Sequence, residues 1–492
     1  MQIFQRLAVA VALSFGAVAA MAETTLIVGI TREPPHLDPT RGTAQAVDRI
    51  VYGNVFEGLT RFDETGVAQR GLAQSWRISE DGLRYTFNIA AGVTFHDGTV
   101  LDAEDVKFSL DRARAEESEN ARRSLLANIT EVTVTGPLQV AVTLAEPDGG
   151  FLATLAYGDA VIVAPESSAA IGTNPVGTGP YRFEAWEEGS HITLTRNPFY
   201  WGRAPQIETA TFRFLPDTEA ATEAVMSGDV DVFAGFRPNP SLRAISEDPR
   251  FDLLIGSTEG ETLLSMNNAR PPFDDRRVRE AISIAINRTD VIATATAGLG
   301  TPIGTHFPPH HPDYVDLTSR SPHDPDRSRG LLAEAGYPEG FTVTLTLPPT
   351  GYARGAGAVI ADQLASVAIT AEIAELSWQD WIEQVFRSKD FDLTIVSHTE
   401  PMDIGIYADP DYYFQYDNLM FRTVIGDLTR ATDAGQRSVL RAQAQTIIAD
   451  DYVNGFLFSL PVVTVVRKGI TGVWQHQPVP AVDLAGIRIA ED

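Results

Sequence analysis

The chain predicts an α/β fold of about three structural units, since its 492 residues allow roughly 150 per unit. Two further observations support this. Paired short strands fill the first third, and strands alternate with helical patterns in the second half. A stretch dense in glycine and proline, Asn174 to Pro180, separates the two regimes and reads as a domain boundary.

In order, Thr24 to Ile30 alternates as a strand, and Pro34, Pro35 and Pro39 mark a loop before a helical run from Ala44 to Leu59. Ser75 to Val93 reads as two strands around the turn Ser79-Glu80-Asp81-Gly82, because Tyr85, Phe87 and Ile89 recur with period two. Asp102 caps a helix whose first turn carries Glu104 and Asp105. Strands follow at Ile129 to Thr135 and Gln139 to Leu144, then beyond the boundary at Tyr181 to Trp186, His191 to Arg196 and Thr209 to Phe214. Glu219 to Met226 reads as a helix stopped by Gly228, and Asp229 to Phe233 and Glu261 to Met266 as strands. A helix over Arg276 to Ile292 follows from Val278, Ala281, Ile282, Ala285 and Ile286 on one face. Next come helix Arg327 to Ala335, strand Thr342 to Leu347, helix Ala356 to Val367, strand Thr370 to Leu376 and helix Trp378 to Phe386. Helix Arg437 to Ala449 and the apolar strand Gly455 to Val466 close the pattern.

Thirty-eight basic against 65 acidic residues give a net charge of −27, and no basic block appears, so nucleic acid is excluded as a partner. Cysteine is absent, which removes disulfides, thiolate metal sites and thiol nucleophiles together. Arg6, an apolar run from Leu7 to Val18 and Ala20-Met21-Ala22 form a cleavable signal peptide over residues 1–22, too short for a membrane span of about 20 residues. The expected location is the periplasm of a Gram-negative cell, with no direct membrane insertion.

No Gly-x-Ser-x-Gly, phosphate loop or His-Glu-x-x-His is present, so neither an enzyme nor a cofactor is expected. His306, His310 and His311 are the one histidine cluster and suit a metal such as nickel, although the prolines around them make a loop. No metal site is expected, with a metal or metallophore receptor as the alternative and a secreted hydrolase a distant third.

The text GLAQSWRISEDGLRYTFNIAAGVTFHDGTVLDAEDVKFSL, Gly71 to Leu110, resembles the signature of the family 5 extracellular solute-binding proteins, the dipeptide, oligopeptide and nickel receptors of ABC importers. NPVGTGPYRFEAW, MNNARPPFDDRRVREAISIAINR and DPDRSRGLLAEAGYPEGF continue the resemblance in order along the chain. It implies a two-lobed, class II flytrap with an additional small α/β domain. The division expected is 23–50, 171–268 and 455–492 for the first lobe, 51–170 for the extra domain and 269–454 for the second lobe. Chain crossings are expected near Asn267 to Pro272 and Asn454 to Leu460. His96 and Asp97 then read as turn architecture rather than a catalytic pair. The implied partners are a small-molecule or short-peptide ligand and the permease subunits of an ABC transporter at the inner membrane, with the receptor itself a monomer.

The resemblance also implies that an arginine holds a peptide carboxylate and an aspartate its amine. Arg354 matches the carboxylate position, and a solvated arginine at a helix start is the alternative role. At the amine position, four residues before Pro410, Ile406 stands instead of an aspartate. The segment Ser397 to Asp417 gathers His398, Glu400, Asp403 and Asp409 among Tyr407, Tyr412, Tyr413 and Tyr416. Carboxylates beside aromatic rings suit an ammonium or guanidinium ligand, while aromatics packed on the lobe beneath solvated acids are the alternative. Trp378 and Trp381, three apart, share a helix face for stacking on a ligand or for packing in the core.

Overall fold

The computed structural model describes residues 24–400 and 402–490, so the signal-peptide expectation lies outside the described residues. One long mixed sheet organises most of the chain. Its path runs through strands Ile369–Glu375, Phe341–Leu347, Leu393–His398, Phe251–Met266, Asn454–Arg467, Val232–Ala234, Thr25–Ile30, Thr209–Phe214, His191–Arg196 and Tyr181–Glu187. Strands Phe251–Met266 and Asn454–Arg467 are long antiparallel partners at its centre. Their register breaks between Ser257, opposite Pro461, and Glu261, opposite Ser459.

Apolar alternation decides what each side of that break packs on. Leu26, Val28 and Ile30 join Phe212, Val232 and Tyr181 in one core. Leu264, Leu345 and Ile395 meet Val278 and Ile282 of helix Arg276–Ala285 and Ile360 of helix Gly351–Ala365 in another. These two cores are the two lobes of the fold. A separate four-stranded antiparallel sheet, in the order Ala73–Ile78, Arg84–Ile89, Gln139–Leu144, Ile129–Gly136, packs Phe87 and Val142 against Val106 and Leu110 of helix Ala103–Arg114. Asp102 caps that helix by accepting from the Glu104 amide, while Asp105 accepts from the amide of Asp102.

His96 is architectural. Its Nδ1 accepts from the Gly177 amide at 3.3 Å and its Nε2 donates to the Gly179 carbonyl at 3.0 Å, tying the turn to the Asn174 to Pro180 boundary. Burial pushes the imidazole down to about 4, so the neutral tautomer these bonds need is the stable one.

Four expected elements differ. The helix predicted over Ala44 to Leu59 is Gln45–Val51, because Gly53 turns the chain at φ +67° and Asn54 spends its side chain on the Ile50 and Val482 carbonyls. The helix over Arg276 to Ile292 is two, Arg276–Ala285 and Arg288–Ala295, since Asn287 caps the second by accepting from the Thr289 amide. Beyond Trp378–Trp381 the helical path widens into a π-helix over Ile382–Arg387. The strand at Glu261 begins ten residues earlier, at Phe251, where Gly256, Ser257 and Gly260 had masked the alternation. Strand Leu393–His398 and helix Leu419–Arg430 were not anticipated.

Candidate functional site

Antiparallel pairing of Leu393–His398 with Phe251–Met266 sets His398 directly opposite Glu261. Opposed residues share a sheet face, so the register alone brings an imidazole and a carboxyl together. Immediately after this strand the chain turns into the short 3₁₀ segment Asp403–Ala408, which returns Asp403 to the same place. His306, from a loop about a hundred residues earlier, completes the group.

Asp403 stands between two imidazoles. Its Oδ1 accepts from His306 Nε2 at 2.5 Å, and its Oδ2 lies 3.5 Å from His398 Nδ1. Tyrosines hold the far nitrogens: Tyr407 Oη is 3.1 Å from His306 Nδ1, and Tyr413 Oη is 3.1 Å from His398 Nε2. Each phenol is fixed in turn, Tyr407 by the Asn454 amide at 3.0 Å and Tyr413 by Ser265 Oγ at 2.6 Å. One proton pattern satisfies every contact: the amide and the serine donate to the phenols, the phenols to the imidazoles, and the imidazoles to Asp403. Burial pushes the Asp403 carboxyl up, yet the two histidines outweigh it and hold the group well below the usual carboxylate range.

Glu261 is the opposite case. It is 2 % exposed, and among the described residues no basic group pairs with it. Burial first, then the charges of Glu259, Asp403 and Glu400, push its carboxyl well above the usual range. Glu259 is itself engaged, accepting from His310 Nε2 at 2.9 Å and from the Met402 amide at 3.3 Å. The result is a cluster of buried acids beside the register break, in which Glu259 faces His310 and Asp403 faces two histidines, while among the described residues Glu261 has no basic partner.

The structure brings His398, Glu400, Asp403, Tyr407 and Tyr412 of the expected ligand set into this one region. Tyr407 is fully buried and acts by orienting His306, whereas Tyr412, partly buried, lies tilted beside His398 with 6.2 Å between ring centres. Asp409 is exposed and closes a turn by accepting from the Asp411 amide. Arg354 lies on helix Gly351–Ala365 in a half-exposed pair with Glu375 at 2.8 Å. Trp378 is 43 % exposed against Trp381, which is buried and donates from Nε1 to Thr394 Oγ1. The run His306 to His311 does not converge: His310 joins Glu259 and Ser257, and His311 accepts from the Asp313 amide. Sequence reading missed Glu259 and Glu261. The available signal was a carboxylate at the head of an otherwise apolar strand.

The model of the bacterial extracellular solute-binding proteins, family 5 (middle), matches residues 68–419. The chain belongs to family 5. Among curated relatives, the glutathione-binding protein GsiB of Salmonella paratyphi A (strain ATCC 9150 / SARB42) is 32 % identical over 343 residues. That match takes in 69 % of this chain and 66 % of GsiB, just under two thirds of the relative's length. Two solved structures share the fold. The periplasmic murein tripeptide-binding protein MppA, in its unliganded open form, superposes with a TM-score of 0.87 at 18 % identity, over 96 % of this chain and 98 % of its own. AgaA of A. tumefaciens R10, in complex with agropinic acid, superposes with a TM-score of 0.72 at 23 % identity, over 95 % and 99 %. Within this two-lobed family fold the acid and histidine group sits on the central paired strands Phe251–Met266 and Leu393–His398 and on the segments that follow and flank them. Among the described residues no helix is long and apolar enough to cross a membrane.

Proposed function

We propose that this family 5 protein is the periplasmic receptor of an ABC importer, capturing a peptide or peptide-like small molecule that carries a positive charge. The observation that carries this reading is Glu261, a buried carboxyl among other acids with no basic partner. An ammonium or guanidinium entering there supplies the missing charge, and Tyr412 offers a ring face beside it. The names of GsiB and of the AgaA complex support small solutes as the ligand class.

In this reading the lobes meet at the register break between Ser257 and Glu261, ahead of the 268/269 boundary expected from the sequence, since Leu264 already packs with the second core, and 51–170 lies beside the first lobe. Ligand binding favours the closed arrangement by contacting both lobes, and the closed monomer engages the permease. Arg354 takes the ligand carboxylate. Its exposed pair with Glu375 is worth only about 0–1 kcal/mol, so exchange for a ligand is cheap.

Calorimetric titration with dipeptides, tripeptides, opines and simple diamines tests the proposal. A cationic peptide should bind, and an Arg354→Ala variant should lose about tenfold for ligands with a free carboxylate but nothing for a diamine. Loss for both classes alike, or none for either, removes Arg354 from the site. Failure of every cationic solute removes the reading itself.

A metal or metallophore receptor is the second reading, favoured by one observation. Ligand atoms of His306, His398 and Asp403 lie within 4.8 Å of one another, with both imidazoles pre-oriented by tyrosines. Titration with nickel, copper and zinc decides. Stoichiometric binding that disappears in His306→Ala is expected of a receptor for metal; unchanged metal content in that variant sinks it.

A further inference from the structure

A cavity of about 380 Å³ opens where the first lobe meets the small domain, away from the acid and histidine group. That volume lies within the roughly 300–1,000 Å³ typical of small-molecule sites. None of its walls comes from the crossing strands or the second lobe, so it shares no residue with the acid and histidine group. Its lining is largely aromatic and apolar with two buried acids, Glu57 and Asp483, and three arginines, an unusual set on a chain of net charge −27.

The rim is built by Arg61, Arg70 and Arg203. The first two come from the strands Thr60–Phe62 and Ala68–Arg70 of one hairpin, the third from the loop before Thr209–Phe214. All three are exposed, and among the described residues none of their guanidinium groups forms an ion pair or hydrogen bond. Most arginines of this chain are paired with its abundant acids, so three without a bonded partner around a single opening need a reason; among them only the charge of Arg61 reaches the buried Glu57 and Asp483. The walls are aromatic. Trp201 and Tyr200 are locked in place by Glu57, which accepts from Trp201 Nε1, Tyr200 Oη and Thr178 Oγ1, each at 2.9 Å. Trp474 supplies a further ring from the C-terminal segment. A clamp that fixes two rings before any ligand arrives is the preorganisation a binding wall requires.

We propose that this cavity is a second binding site, for a small molecule that joins a carboxylate to a planar apolar body. The carboxylate meets the guanidinium rim, where forked donors match its two oxygens. The planar body lies against the fixed indole and phenol rings. The acids beneath do not oppose this: burial pushes Glu57 and Asp483 up toward the neutral form, and Glu57 already has its acceptors filled. The site's charge preference is therefore opposite to the one proposed for the acids around Glu261.

Benzoate and indole-3-acetate are the probes, followed by calorimetry and by quenching of tryptophan fluorescence. Saturable 1:1 binding is expected, with at least tenfold loss in an Arg61→Ala/Arg203→Ala double variant and no change in Glu261→Gln. Hydrogen exchange should show probe-dependent protection around 57–62 and 200–203. Because all three arginines are exposed and unpaired, the double variant should keep the wild-type melting temperature. If it does not, the single Arg70→Ala variant and the exchange map carry the test. No saturable binding, binding that survives loss of the arginines, or binding abolished by Glu261→Gln overturns the proposal.

Discussion

Glu261→Gln should raise the melting temperature of the ligand-free protein and, in the same variant, weaken binding of a cationic solute by at least tenfold. Both effects come from one unpaired buried carboxyl. A group held above its ordinary value of 4.5 costs the folded state nothing while the solution is acidic enough to protonate it in both states. As pH rises past that value the unfolded chain ionises and the folded one resists, so the penalty grows until the folded group also ionises. Glutamine keeps the shape and removes the penalty. The stability gain should therefore be absent near pH 4 and present at pH 7, at about 1–3 kcal/mol for one buried unpaired charge. Thermal melts across that range with parallel titrations read both sides. A variant that is less stable at pH 7, or that binds cations as well as before, rules out the role given to Glu261.

Removing Asp403 should act in the other direction on stability. Asp403→Ala leaves two buried imidazoles without their shared acceptor, and breaking a buried pair costs about 3–5 kcal/mol. Since the folded carboxyl sits below its ordinary 3.8, its contribution is fully present above that pH and is lost as pH falls toward the folded value. The gap between wild type and variant should therefore be constant from neutrality down to about pH 4 and close below it. Denaturant melts at several pH values measure this. His306→Ala and Asp403→Ala should also be strongly non-additive, since each removes the same bond. Additive losses show that the two side chains work independently.

The fold was largely legible because period-two and helical patterns survive wherever one face is buried: Tyr85, Phe87 and Ile89, or Val278 and Ile282, state their element without help. It failed where side chains do the turning. Asn54 ends one helix by donating to two carbonyls and Asn287 starts another by accepting one amide, bonds that periodicity does not register. Much of the site region was also legible, because the composition of Ser397 to Asp417 is unusual in itself. Its partners were not. Glu261 meets His398 through strand register, and His306 meets Asp403 across 97 positions, relations that only the folded sheet creates. Arg354 came from family resemblance and stands apart from the cluster in the structure.

The register break in the central strands leaves Thr258, Glu259 and Gly260 opposite Leu460 alone. Three residues facing one cannot all be laddered, so side chains hold this stretch instead, Thr258 donating from Oγ1 to the Leu460 carbonyl and Ser459 from Oγ to the Thr258 carbonyl; it is the joint in the closure we propose, and Glu259 sits within it, two residues before Glu261. In that proposal the same few peptide units carry both the swing of the lobes and the acids that meet the ligand. A ligand that neutralises those acids also stiffens the joint. Recognition and movement would then be recorded by the same handful of amide protons, whose exchange should slow before any contact distant from the ligand reports that the lobes have shut.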